Sequence, residues 1–402
     1  MKRILILALA QALVLASLTA PAVVGLSIDV RRLLPNGDEA GTLAAIISAG
    51  SIAALVANPL FGWLADATRR RRTLLVAGAA GGFAGCTALL WAPCIGMLTV
   101  AWISAQVGYN MCFGAINGLV SAQLAPADRT RAAGVLSAVT VLGALPGLAA
   151  AAVFANHRSL MVLAVPAAAL VAIPLIASRL PGESASATRR SRLHVPIRTI
   201  ATSAFGLAVA ARFVIALELA AGLIFALYLF TDRWHLGTSA AVRLVSIATL
   251  LGAVGIVGGS CAISLTRLRV IAPRVLLGIG LGALALGTAA RGLAPTPTVF
   301  LVATFIAGCA IGTGFTASRS LAQSALPAAD SGLGLGVLNA ANTLAPAIAP
   351  LLAGALVMPG IIPWQTDGYG AMYLLLTIPI ALCAAAIPIS RPRRSRSLVS
   401  AI

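Results

Sequence analysis

The chain has 402 residues, of which 60% are hydrophobic and 9% charged, with a net charge of +18 and a mean hydropathy of +1.00. Soluble domains carry about 25% charged residues, so a water-soluble enzyme or regulatory domain is excluded. The positive charge alone would suit a nucleic-acid binder. Its basic residues instead stand in short clusters between apolar runs, as topology signals do, so a lipid bilayer is expected as partner and nucleic acid is not.

A membrane-spanning helix takes about 20 apolar residues. Apolar segments lie at 4–28, 40–64, 73–92, 96–124, 131–154, 159–178, 203–230, 241–265, 275–292, 297–325, 332–357 and 369–389, which predicts an all-α membrane protein of twelve transmembrane helices. Lys2-Arg3 followed by an apolar run and Ala20-Pro21-Ala22 resembles a secretory leader. The run continues to Ile28, too long for a leader, and Pro21 disfavours cleavage, so an uncleaved first helix is expected.

An even helix number puts both termini on one side. Twenty basic residues fall there, in clusters such as Lys2-Arg3, Arg69 to Arg72 and Arg391 to Arg396, against six on the other: Arg31, Arg32, Arg158, Arg233, Arg243 and Arg291. The bias predicts cytoplasmic termini and a multi-pass protein of the inner membrane. Trp91, Trp234 and Trp364 then fall at the outer interface, where indole rings prefer to sit. Arg212 and Arg319 lie inside helices.

The stretch 180–199 is the one clear linker. It divides the chain into a six-helix bundle at 1–179 and another at 200–390, with a basic tail at 391–402. The halves echo each other: GVLSAVTVL from Gly134 and GVLNAANTL from Gly336 match at five of nine positions, 202 residues apart, an offset shared by Asp128 and Asp330. Parallel repeats of six helices are a known plan of membrane carriers.

The run Asn58-Pro-Leu-Phe-Gly62-Trp-Leu-Ala-Asp66-Ala-Thr-Arg69-Arg70-Arg71-Arg72 resembles the loop signature of the major facilitator superfamily: a glycine, three residues, an aspartate, then a basic cluster. Pro126 through Arg129 to Gly134 is similar to the family's fourth-to-fifth loop, and Leu326-Pro327 through Pro346 looks like its tenth-to-eleventh region. The chain departs from the pattern at Ala67, normally basic, and at Arg69, normally glycine. The second-half loop, Gly258-Gly259 to Arg269, lacks an aspartate, and Ser318 stands where some bacterial members carry an acid. The resemblance implies two pseudo-symmetric six-helix bundles, and a gating loop of Gly62, Asp66, Arg70 and Arg71 in which Asp66 latches the halves in the outward-open state. The other reading makes these ordinary solvated loop charges. The resemblance further implies that helices one, four, seven and ten line a central cavity.

Polar side chains at bilayer depth are costly unless they face protein or water. Gln11 lies in the first helix, and Gln106, Asn110 and Asn117 fall within about 40° on the fourth. Arg212 lies in the seventh, and Thr316 and Arg319 share a polar sector of about 120° on the tenth. These residues either line a substrate cavity or bond helix to helix. Glu218 is the one acid well inside a helix, and burial lets such a carboxyl exist protonated or ionised near neutral pH. It reads as a proton-coupling site, a cargo contact or half of an ion pair. Arg212 lies about 240° away on the same helix, so Arg319 is the expected partner.

Gly143-Ala-Leu-Pro146-Gly147 resembles the glycine–proline motif of family exporters. The six cysteines have neither CxxC spacing nor neighbouring histidines and read as free thiols, while His157, His194 and His235 fall in loops. With no P-loop or catalytic constellation, neither enzyme activity nor a cofactor is expected. The expectation is a secondary active transporter, functional as a monomer, whose partners are protons and a small-molecule substrate. Export of an amphipathic or lipophilic compound leads, because a sparse apolar cavity suits such cargo. Uptake of a sugar or other nutrient is the alternative, and a membrane sensor or scaffold without transport is the reading from another class.

Overall fold

The computed structural model describes residues 2–35, 38–123, 135–136, 139, 142–180, 203–265, 271–325, 331–357 and 368–389. Nearly all of the 180–199 linker and the tail from 391, with Asp128, Asp330, Trp364, His194 and most of the first GVL copy, lie outside the described residues.

The first crossing is irregular. α1 (Lys2–Ala20) runs into a π-turn at Pro21–Gly25 and continues as α2 (Leu26–Leu33). Pro21 has no N–H for the preceding turn, and the ladder widens so that the Leu26 N–H reaches the Pro21 carbonyl. The helical crossing therefore ends at Leu33, past the apolar limit at 28, because Asp29, Arg31 and Arg32 all lie within α2. α3 (Glu39–Thr68) starts on the Asp38 carboxylate, which accepts from the Gly41 N–H at 2.8 Å. It stops at Arg69, whose φ of 57° is left-handed and favours glycine. α4 (Arg71–Trp91), α5 (Ile95–Gln123), α6 (Leu145–Val153) and α7 (Arg158–Ser178) complete the first half.

The second half opens with a broken crossing, α8 (Ser203–Ala221) and α9 (Ala226–Asp232), where the sequence predicts one continuous segment. Shifted by the repeat offset of 202, the π-turn of the first half lands on 223–227, over this break. α10 (Thr238–Leu265), α11 (Pro273–Gly292), α12 (Pro297–Ala325), α13 (Ser331–Ala355) and α14 (Tyr369–Ile389) follow. Among the described residues, nine helical runs are long and apolar enough to cross a membrane. α5 falls short because Gln106, Asn110 and Asn117 lower its hydropathy. α5, α13 and α6, the last being the described end of the fifth apolar segment, fall at the other three expected positions.

Small residues set the helix spacing, as they must where lipid supplies no hydrophobic drive between helices. A Cβ on Gly78 of α4 would meet the Cys112 nitrogen at 2.9 Å, and one on Gly280 of α11 would meet the Gly314 nitrogen at 3.2 Å. Gly85 lies against Ala105, and Gly287 against Ala307 at 3.1 Å. Each residue of the first pair maps onto the second by adding 202. The α4–α5 seam is thus repeated as the α11–α12 seam.

The halves meet along α3 with α13 and α6 with α10. One buried apolar cluster runs from Leu7, Val24 and Ala44 across to Phe225, Ala349 and Tyr373, tying the halves together, while a second lies inside the C-terminal half. Outward-facing residues such as Val153, Val171, Leu286 and Leu382 are more than 60% exposed, an apolar surface that suits hydrocarbon. Below, the near end of the bundle is where α1 begins and α14 finishes, and the far end is opposite.

Gly108→Val should fail to give a monodisperse folded protein, because its Cβ collides with the backbone of Gly82, a penalty of about 3 kcal/mol or more. Gly282→Ala, with open space around its Cβ, should leave the melting temperature unchanged. Size-exclusion profiles and melting curves in detergent check both.

Candidate functional site

The far end holds a charge network that bridges the halves. Arg31 of α2 donates through Nε to Glu39 Oε2 at 2.6 Å, through Nη1 to the Thr231 hydroxyl at 2.6 Å, and through Nη2 to Asp232 Oδ1 at 2.9 Å. Its guanidinium lies 4.5 Å from the Tyr228 ring centroid, and the Tyr228 hydroxyl donates to the Ser27 carbonyl at 3.0 Å. Tyr369 completes the network by donating to Asp232 at 3.4 Å. Arg31, Asp38, Glu39, Asp232 and Tyr369 line a polar cleft of about 430 Å³. Ser239 of α10 donates to Asn156, beside α6. Arg31 to Thr231 and Asp232, Tyr228 to Ser27, and Ser239 to Asn156 are polar contacts between the two halves, and each lies at this end.

Arginines that topology assigns to the opposite loops have structural work here. Helices leave their last carbonyls unpaired, and cations suit that end. Arg32 donates to the Ala92 carbonyl behind α4 at 3.2 Å, and Arg233 donates to the Gly292 carbonyl ending α11 at 3.1 Å. These two staples are near-equivalents under the internal repeat. Arg158 donates to the Leu89 and Leu90 carbonyls and, through Nη2 at 2.6 Å, to Asp29, which is 1% exposed. The sequence offered a signal for this site that periodicity overlooks: Asp29 and Asp232 fall near the ends of the first crossing of each half.

Glu218 and Arg291 form a fully buried ion pair through Glu218 Oε1. This corrects two expectations. Arg291 is not a loop charge but the penultimate residue of α11, and it, rather than Arg319, is the partner of Glu218. The guanidinium reaches back from the helix end into the helix layer. Thr288 donates to Glu218 Oε1 at 3.2 Å. Arg291 Nη1 donates to the Gly222 carbonyl at 3.3 Å, which also accepts from the Tyr373 hydroxyl at 2.6 Å. Gly222 is the first residue of the α8–α9 break, so side-chain donors satisfy a backbone group that the break frees. Glu218 Oε2 is buried without a partner.

The remaining expected residues are dispersed. Gln11 is buried in the first half, where it donates to the Leu136 carbonyl at 2.9 Å. Asn110 is buried and donates to the Gln106 carbonyl and side chain at 2.8 and 3.3 Å. Asn117 is exposed. In the second half, Arg212 of α8 donates to the Phe315 carbonyl of α12 at 3.2 Å and lies 4.0 Å from the Phe315 ring centroid. Arg319, one turn further along α12, is exposed, and Thr316 donates to its own helix at the Gly312 carbonyl. Ser318, where some relatives carry an acid, is fully buried.

In the gating loop, Gly62 lies against Gly114: a Cβ on Gly114 would be 2.7 Å from the Gly62 nitrogen. Arg71 is 6% exposed and lies beside Gly118 of α5, so it is no solvated loop charge, whereas Arg70 is exposed. The Asp66 side chain lies outside the described residues. Gly147 of α6 abuts the Ala16 carbonyl of α1, so the exporter-like motif brings these two backbones together. All six cysteines are free, and among the described residues no group of histidine, cysteine, aspartate and glutamate could hold a metal.

The sequence profile of the Major Facilitator Superfamily matches residues 4–290 and 266–400. The chain belongs to the major facilitator superfamily. As a member it is a multi-pass membrane transporter, not an enzyme. Among curated proteins no sequence match is found. The fold is shared with a mutant form of the nucleoside transporter NupG, at a TM-score of 0.74 and 13% identity over 96% of this chain and 99% of that one. It is shared with a bacterial homologue of the human lysosomal transporter Spinster, inward-facing and occupied, at 0.74 and 14% over 96% of each chain. The D-xylose–proton symporter matches at 0.73 and 14% over 96% of each.

Arg291→Ala should destabilise the transporter by about 3–5 kcal/mol, because it strands the Glu218 carboxylate in the interior. Glu218→Gln combined with Arg291→Leu should recover much of that loss, and melting curves of the single and double variants measure it. Arg31→Ala removes the two donors that cross the seam, to Thr231 and Asp232. Spin labels at His157 and Thr238, either side of the far end, should then show a longer separation by electron resonance than in the parent, and an unchanged distribution would refute the role of Arg31.

Proposed function

We propose that this superfamily member is a secondary active transporter of the inner membrane with both termini in the cytoplasm. It moves a small organic solute by alternating access between its halves. The observation that carries this reading is the Arg31 network: the polar bridges between the halves gather at one end. The 20-to-6 basic bias assigns the far end to the outside, so the chain stands closed outward. Related folds bear inward-facing descriptions, among them the Spinster homologue and the partially occluded inward-open xylose transporter XylE from E. coli.

Protons are the proposed energy source, and Glu218 the residue that takes them up. Its surroundings suggest how a proton acts at a distance. The ionisable groups around it are Arg291 and, behind that, Tyr373 and Arg233. Neutralising Glu218 removes the anion that holds Arg291. Arg291 in turn supports Gly222, where α8 gives way to α9. α9 carries Thr231 and Asp232, the residues that Arg31 grips from the other half. Protonation thus loosens the outer closure by one short mechanical path, without the carboxyl touching cargo.

Export of an amphipathic compound is the preferred direction, supported by the Gly143–Gly147 motif packed on α1. Uptake of a sugar or nucleoside is the second reading, favoured by the described substrates of NupG and the D-xylose symporter.

In proteoliposomes, an imposed pH gradient should drive net solute flux by the parent protein. Glu218→Gln should keep solute exchange but lose the gradient's effect. Retained gradient dependence in that variant would end the coupling assignment.

A further inference from the structure

Arg212 and Arg319 remain unexplained by the closure or by the Glu218 pair. Arg212 stands nine residues into α8, far from either end of the helix, so it serves neither topology nor a helix terminus. Its Nη1 donates to the Phe315 carbonyl, its guanidinium lies on the Phe315 ring, and its Nε is buried without a partner. Arg319 follows Phe315 by one helical turn on α12 and is exposed, close enough for its charge to repel that of Arg212. Among the described residues neither forms an ion pair. The one carboxylate on α8, Glu218, is already engaged by Arg291. Nearby hydroxyls turn back on their own helix: Thr316 to Gly312, Ser318 to Phe315.

Two neighbouring cations with no counter-charge among the described residues are a poor structural element within a membrane span, where such groups mark substrate or ion paths. We propose that Arg212 and Arg319 form the binding site for an oxyanion on the cargo: a carboxylate, sulfonate or phosphate. The guanidinium is a planar fork that grips two oxygens of such a group together. Phe315 holds that plane from one side and offers an apolar surface to the rest of the molecule. The cargo is accordingly an organic anion with an apolar body. The term cargo rests on the transport reading above, whereas the anion site itself does not.

The test uses full-length protein in phosphatidylcholine nanodiscs, with naphthalene-2-carboxylate, naphthalene-2-sulfonate and naphthyl phosphate as probes, against naphthalene-2-carboxamide and 2-naphthol. At least one acid should bind about tenfold more tightly than its uncharged counterpart. Arg212→Gln and Arg319→Gln should each weaken it about tenfold, while Arg212→Lys, which keeps the charge but not the fork, should recover part of the loss. Uncharged probes should not respond to these substitutions. Equal binding of acid and amide, indifference to Arg212→Gln, or no binding of any acid overturns the proposal. Loss of acid binding when phosphatidylglycerol is added assigns the site to a lipid headgroup and likewise overturns it. Proteoliposome flux separates the two readings. Acid binding with no flux of any probe under any gradient keeps the anion site and removes the transport reading. Flux of 2-naphthol unaffected by Arg212→Gln, without preference for acids, does the reverse.

Discussion

Hydrocarbon offers no hydrogen bonds, so every backbone carbonyl released from a helix inside the membrane must find a donor within the protein. Much of this structure answers that requirement. The helix of the first crossing widens at Pro21, the seventh crossing breaks at Gly222, and α4 and α11 end at Trp91 and Gly292. At three of these places arginine or tyrosine side chains supply donors: Arg158 and Arg32 behind α4, Arg233 at the end of α11, Arg291 and Tyr373 at Gly222. The buried acids Asp29 and Glu218 then balance the two guanidinia drawn inward, Arg158 and Arg291. The Asp29–Arg158 and Glu218–Arg291 pairs thus follow from incomplete helices.

The all-helical, multi-span fold of the superfamily was legible in the sequence, because hydrophobic length is forced directly by the bilayer. The repeat was legible in part. The first copy of the GVL echo lies mostly outside the described residues, yet its offset of 202 locates two features that the echo did not reveal: the irregular first crossing of each half and the glycine seam at Gly78 and Gly280. Glycine is so frequent, at 39 residues, that single matches carry little weight until packing distances distinguish seam positions from open ones such as Gly206 and Gly282.

The partner of Glu218 was not legible. Arg291 stands at the end of an apolar segment, where an arginine ordinarily reaches outward to headgroups. A long side chain reaches as easily in the other direction, and only the neighbouring helices decide which. Arg31 and Asp29 were hidden for a related reason: the apolar run stops at Ile28, while the helix continues to Leu33. Sequence reasoning locates charge near a boundary well and assigns its direction poorly.

The two halves are fastened differently at their far ends. Asp29 Oδ1 accepts from both Nε and Nη2 of Arg158, with Arg32 3.9 Å away, in a cluster that reaches α4 and α7. Glu218 has the single cation Arg291, set directly beneath a helix break. The two related halves thus differ in how firmly their first crossings are tied. Wear, in the evolutionary sense, should fall unevenly: drift in the N-terminal rivet would slacken the frame, whereas retuning the C-terminal one would change how readily the machine turns over.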